Sequence, residues 1–407
     1  MPSFFSKTRI TTAAWLIRFA LPAGWLVLLT GMFWIGERSR FHTLYYLLLA
    51  TPTLLITLLQ PRLGLRFWRH PLVLLFLAFA GYMLLTLAWS DTDTSAGSLA
   101  KRPLYILMLL FSAGYLAQQD LHKLLLALKI AAVAAVLAAV LSLGWYWLMQ
   151  GGQGRFSGYG ALYNPLLSAH VYGFFAAYWL ASWINGQKLL DPWPIAILLL
   201  LSYLLLSTGS RTPLLALSAC ILWLAALQAN RRSLLAIGAL VLTATLSALL
   251  MPEALLQRGM SHRPQIWYQT LQLIAQAPWL GYGFDHSFEL HVTGLHFGLA
   301  EPHNLMLAVL YHGGVVGGTL WLALYGCAFF YAWRHRKLPV IQMASTLLIF
   351  GFVAGMTEGG AFMSRPKEHW FLIWIPFALL FGIWIAAQVR REEKSDESPE
   401  EARTATA

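Results

Sequence analysis

Two arginines and one histidine occupy positions where their side chains have chemistry to do. Arg211 ends the connection Ser207-Thr208-Gly209-Ser210-Arg211 between two apolar runs, which leaves its guanidinium at or just below the level of lipid headgroups. An unpaired Arg costs about 2.5 kcal/mol or more at a bilayer centre, so an anionic partner is expected, with snorkelling to lipid phosphate as the alternative. Arg263 precedes Pro264, a residue suited to the first helical position. It therefore stands at a helix N-terminus, where free N–H groups and the dipole favour an anion such as phosphate. A purely structural arginine is disfavoured there because the dipole repels it.

His303 lies in Glu301-Pro302-His303-Asn304, immediately before a long apolar run. With Pro302 at the first helical position, the imidazole sits at the mouth of that helix. The dipole disfavours its cation there, leaving a neutral ring able to accept a proton near neutral pH. A candidate base is one reading and a plain interfacial hydrogen bond is the other, since the chain has 12 His. Asp91-x-Asp93 offers paired carboxylates of the kind that hold a cation on a diphosphate. The run Asp91-Thr92-Asp93-Thr94-Ser95 is equally a set of turn and helix-capping residues, and we read it as a turn, with no metal and no cofactor expected. Cys220 and Cys327 both fall in apolar runs, so neither a disulfide framework, a thiolate metal site nor redox chemistry is indicated.

The elements that must position these groups follow from composition. Of 407 residues, 58% are hydrophobic and 11% charged, and the charges fall between apolar runs, which excludes a soluble globular protein. Apolar stretches near 14–36, 41–60, 71–89, 103–118, 124–149, 163–184, 194–209, 212–229, 233–251, 305–333, 338–357 and 370–389 predict an all-α polytopic membrane protein of about twelve transmembrane helices. The first stretch follows Lys7 and Arg9 and is read as a retained anchor. The organisation is then nine transmembrane helices over 1–251, a polar outer loop over 252–304, three further helices over 305–389 and a disordered acidic cytoplasmic tail over 390–407. A net charge of +11 suggests nucleic acid only if gathered; the basic residues are scattered in short loops, so membrane lipids are the partner and nucleic acid is not.

With the N-terminus inside, the inner loops carry Arg62, Arg66, Arg69, Arg231, Arg232, Arg334, Arg336 and Lys337, as the positive-inside rule requires. Arg155, Arg211, Arg263 and His303 then fall on the outer side. In the outer loop, Trp267, Leu271 and Ile274 recur at helical spacing, which predicts a short amphipathic helix on the membrane surface from Pro264 to Ala277. Pro278 to Asp285 is a turn cluster that ends it. Gly313, Gly314, Gly317 and Gly318 are read as close helix packing. No acidic residue falls near the centre of a run, which disfavours an ion-coupled transporter or flippase. His170 and His312, inside runs, are expected to be isolated hydrogen-bonded histidines.

The ordered set Ser207 to Arg211, Arg263 leading to Trp267, Pro278, Gly281, Gly283, then His303-Asn304 and Gly313 to Gly318 resembles the O-antigen ligase and O-antigen polymerase superfamily, over nearly the whole chain. The resemblance implies a GT-C-like glycosyltransferase fold in the bacterial inner membrane with its active site facing the periplasm. For the ligase branch it implies an undecaprenyl-diphosphate-linked O-antigen donor and a lipid A-core acceptor, joined to complete lipopolysaccharide. Carried over by residue, it implies that His303 is the essential loop histidine and that Arg211 and Arg263 hold the diphosphate. Arg155-Phe156-Ser157-Gly158 before Asn164 resembles the family's Arg-x-x-Gly followed by Asn and adds Arg155 to the diphosphate group. An O-antigen polymerase and a protein oligosaccharyltransferase of the same superfamily share these motifs; the large His-bearing loop before the tenth helix favours the ligase.

Overall fold

The computed structural model describes residues 4–250, 262–292 and 298–404. The part of the outer loop with Glu253 and Arg258 lies outside the described residues. Within them the chain is helical, and the one extended pairing is an antiparallel bridge between Leu290 and Leu299. The helices are α1 (Phe4–Trp15), α2 (Leu21–Thr30), α3 (Arg38–Tyr45), α4 (Thr51–Leu59), α5 (Pro61–Trp68), α6 (Pro71–Leu85), α7 (Ala96–Gln150), α8 (Pro165–Asn185), α9 (Pro192–Ser207), α10 (Thr212–Leu227), α11 (Arg231–Leu250), α12 (Arg263–Ile274), α13 (Leu305–Arg334), α14 (Pro339–Gly355), α15 (His369–Leu372) and α16 (Trp374–Thr404).

Among the described residues, five helical runs are long and apolar enough to cross a membrane: Arg9–Phe33, Arg38–Leu59, Pro71–Ala88, Ala96–Gln150 and Leu305–Arg334. Pro192–Ser207, Thr212–Leu227 and Pro339–Gly355 are shorter apolar helices. The 55-residue α7 is two helices joined at Asp120, whose backbone is extended (φ −159°, ψ 91°) and whose carboxylate accepts from the His122 N–H at 3.0 Å. That break falls between the apolar stretches 103–118 and 124–149, so a capping aspartate separates them.

The centre of the bundle is α16. From Phe371 to Ile383 every residue is buried, the pattern of a helix apolar on all sides and enclosed by others. Phe381 meets Phe67 of α5, and Trp374 meets Phe76 of α6 and Trp321 of α13. Around this core, large side chains such as Leu141, Leu148, Leu199, Leu222 and Phe330 are exposed, a surface that only an apolar surrounding stabilises. Beyond the core, α16 continues as helix to Thr404, so the tail expected to be disordered is helical as far as it is described.

The turn 278–283 does more than end a helix. Gly314 breaks α13 with φ +59°, ψ −161°, and the groups freed there pair with the turn. Tyr282 and Gly283 N–H donate to the carbonyls of Tyr311 and His312, both at 2.9 Å, while Val315 N–H donates to Pro278 O at 2.8 Å. A Cβ on Gly314 would lie 2.3 Å from the Trp279 carbonyl oxygen, so the position requires glycine on both conformational and steric grounds. Close packing, the expectation for this glycine cluster, holds for Gly313 and Gly317 against Met83 and is only half of its role.

α12 forms as its spacing predicts but buries Ile266, Thr270 and Ile274, with Leu271 exposed. These apolar groups pack with Leu307 and Tyr311 at the start of α13, so the helix docks on protein through a face rotated from the expected one.

Candidate active site

Asn304 fixes the entry to α13. Its side-chain oxygen accepts from the N–H groups of Met306 and Leu307 at 2.9 and 3.1 Å, and its amide donates to Met356 O at 2.7 Å. The cap therefore ties the start of α13 to the end of α14. His303, just before it, is held at φ +49°, a left-handed conformation that costs a non-glycine residue about 1 kcal/mol or more and persists where the surroundings enforce it. Helical geometry begins at Leu305, so Pro302 and His303 lie outside the helix.

This backbone points the imidazole at Glu358, two residues beyond Met356. Nδ1 of His303 is 2.9 Å from Oε1 of Glu358 and 3.5 Å from Oε1 of Glu301. On its other oxygen, Glu358 is paired with the Arg263 guanidinium. The carboxylate is 4% exposed, so desolvation alone would push it up; the hydrogen bond from His303 and the charges around it bring it down instead, to about 2. The same hydrogen bond raises His303 above its ordinary value, and burial and Arg263 only partly oppose it. This reverses the electrostatic argument from sequence: a carboxylate in contact outweighs the dipole of a helix the ring does not belong to. The consequence for chemistry is a fixed tautomer, with Nδ1–H donated to Glu358 and Nε2 free to accept a proton.

Arg263 is the first residue of α12 and Pro264 the second, with His262 as N-cap. A guanidinium carries five N–H donors, so the pair with Glu358 leaves others for a further anion. Arg211 is exposed at the N-cap of α10 and has no side-chain partner among the described residues. Its neighbour Thr212 accepts a 3.1 Å hydrogen bond from the hydroxyl of Thr357, the residue before Glu358. Arg155 Nε donates to Thr208 O at 2.7 Å, and Phe156 N–H to Ser207 O at 2.8 Å. The Arg155 loop therefore lies on the turn that carries Arg211. His303 and Arg263 meet on one carboxylate; Arg211 and Arg155 reach it through the 207–212 turn, without direct contact with His303 among the described residues.

Glu301, His303 and Glu358 place one ligand-type atom each within 4.8 Å of one another, a set that fits a divalent cation by atom type. Arg263 already holds the second oxygen of Glu358, and its charge opposes a cation there. Asp91 and Asp93 form no such group. Asp91 N–H donates to Nδ1 of His286 at 3.1 Å, and Thr92 donates to Asp285, itself paired with Arg102 at 2.7 Å. The Asp91 segment is thus a turn docked on the outer loop. His312 donates Nδ1–H to Gly283 O at 2.9 Å as expected, whereas both ring nitrogens of His170 lack a partner among the described residues and the ring faces His369 at 5.7 Å.

Residues 196–322 match the family described as O-Antigen ligase. A curated Pseudomonas aeruginosa protein described as O-antigen ligase is 48% identical over 393 residues, spanning 96% of this chain and 97% of that protein. The family match includes Arg211, Arg263 and His303, and leaves Arg155 and Glu358 outside it.

Proposed function

The chain belongs to the O-antigen ligase family of membrane glycosyltransferase-type enzymes, and from that premise we propose that it moves an O-antigen glycan from undecaprenyl diphosphate onto lipid A-core at the periplasmic face of the inner membrane. Its apolar helices are read as about twelve spans in a GT-C-like arrangement. Nε2 of His303 takes the proton of the acceptor hydroxyl as its oxygen attacks the anomeric carbon. The bond from that carbon to the phosphate oxygen breaks in the same step, with inversion, and undecaprenyl diphosphate leaves. Glu358 orients the imidazole and stabilises the imidazolium that forms. Arg211 and the free donors of Arg263, with Arg155 beside them, bind the diphosphate and offset charge on the leaving oxygen, so that no metal is required.

The observation that carries this reading is the shared Glu358 carboxylate, which puts a proton acceptor and a guanidinium on one buried anchor. The test is transfer by purified protein from undecaprenyl-diphosphate glycan to lipid A-core, with each substrate withheld in turn. Glycan covalently on lipid A-core supports the ligase. Lipid-linked glycan that lengthens when lipid A-core is absent means a polymerase, and translocation without transfer means a flippase.

A further inference from the structure

A second group of cations lies beside the dyad, in a cavity of about 400 Å³ between the outer loop, the start of α7 and the segment Gly360–Lys367. Arg102, Arg365 and Lys367 line it against one carboxylate, Asp285, which Arg102 already neutralises. The Lys367 ammonium has no hydrogen bond or ion pair among the described residues. Ser364, 9% exposed, also lines the cavity, and its hydroxyl has no partner among the described residues. An ammonium without a protein partner, facing two guanidinium groups across one cavity and next to a buried unmatched hydroxyl, is an arrangement that an anion would complete. Burial pushes the Lys367 amine down, with Arg38 and Arg102 adding to it against Glu368 and Glu301, and an arriving anion would push it back up. The cavity also adjoins the dyad: a Cβ on Gly360 would lie 3.1 Å from Oε2 of Glu301, whose other oxygen is 3.5 Å from His303.

We propose that this cavity is a phosphoryl-binding site, distinct from the Arg211–Arg263 group, in which Lys367, Arg365 and Ser364 hold a phosphate of one of the two lipid substrates. Several cations with a hydroxyl donor around one cavity match a multiply charged group with three acceptor oxygens. The assignment of that phosphate to a substrate rests on the ligase reading; the binding of an anion does not. Its source is either the diphosphate of the donor or a phosphate on the acceptor glycolipid.

The experiment has a binding arm and a kinetic arm, both on the full-length protein in detergent. In the first, inorganic pyrophosphate stabilises the wild type to heating beyond sodium chloride at matched ionic strength. K367A and S364A require roughly tenfold more, and K367R behaves as wild type. In the second, R365A and K367A raise KM for one substrate by roughly tenfold with little change in kcat. A rise for the acceptor alone places the phosphate on the acceptor; a rise for the donor alone places it on the donor diphosphate. Should K367A fail to fold, the exposed R365A carries both arms. Equal stabilisation of wild type and K367A by pyrophosphate overturns the site, as does an unchanged KM for both substrates. Pyrophosphate binding that depends on Lys367 in a protein without transferase activity would leave the site standing and overturn the ligase reading instead.

Discussion

His303 and Glu358 come from different loops, 55 residues apart, and meet through a 2.9 Å contact between Nδ1 and Oε1. Because the carboxylate raises the imidazole above its ordinary value, the base is protonated, and inactive, over a wider acidic range than a free histidine. Turnover is expected to rise as pH climbs through that raised value. Glu358→Gln removes the charge that raises it, so the acidic limb of the rate profile moves to lower pH. Loss of orientation lowers the plateau by roughly 10²-fold. A plateau that falls with the limb unmoved would reduce Glu358 to a structural support.

Arg211 stands exposed at the 207–212 turn without a partner among the described residues, and its proposed task is to bind the donor diphosphate and offset charge on the leaving oxygen. Arg211→Ala is expected to raise KM for the lipid-diphosphate donor about tenfold and to lower kcat, leaving KM for the acceptor unchanged. Steady-state kinetics with each substrate varied separately measure this. An effect on the acceptor alone assigns Arg211 to the other substrate.

Arg263 already pairs with one oxygen of Glu358, and its charge opposes a cation beside that carboxylate. Turnover is therefore expected to survive a chelator undiminished. Activity lost in EDTA and restored by Mg²⁺ or Mn²⁺ would assign Glu301, His303 and Glu358 to metal binding.

The break in α13 gives a stability prediction. Gly314→Ala meets both a left-handed backbone and a carbonyl oxygen at 2.3 Å, and is expected to cost well over 1 kcal/mol and to release the 278–283 turn. Gly326→Ala, in the same helix with nothing within 4 Å of the added carbon, is expected to be neutral or stabilising. Thermal melting of the two variants in detergent makes the comparison, and equal melting temperatures would contradict it.

Much of the site was legible in residue types at helix ends. Pro264 marks where α12 begins and hence where Arg263 stands, whereas α13 begins at Leu305 with Asn304 as its cap and not at Pro302. Glu358 was not legible as their partner, because its only local signal is a carboxylate just after an apolar run, followed by Gly359 and Gly360. Contact between two loops far apart in sequence leaves no spacing in the chain. The break at Gly314 was hidden for a related reason: apolar residues continue on both sides, and only the docking of 278–283 shows that the helix must open there. For α12 the spacing identified the helix but not the buried face, since Thr270 is turned inward by its neighbours and Leu271 outward. At the acidic tail, composition argued against packing, yet α16 carries its helix onward and Glu392 pairs with Arg66 at 3.3 Å.

The central claim is that His303 is the base for glycosyl transfer, and the most direct measurement is single-turnover transfer of a labelled glycan from undecaprenyl diphosphate to lipid A-core by purified His303→Ala beside wild type. The variant is expected to elute and melt as the wild type does while losing about 10²- to 10⁴-fold in rate. A properly folded His303→Ala protein that transfers glycan within a few-fold of the wild-type rate would contradict the account.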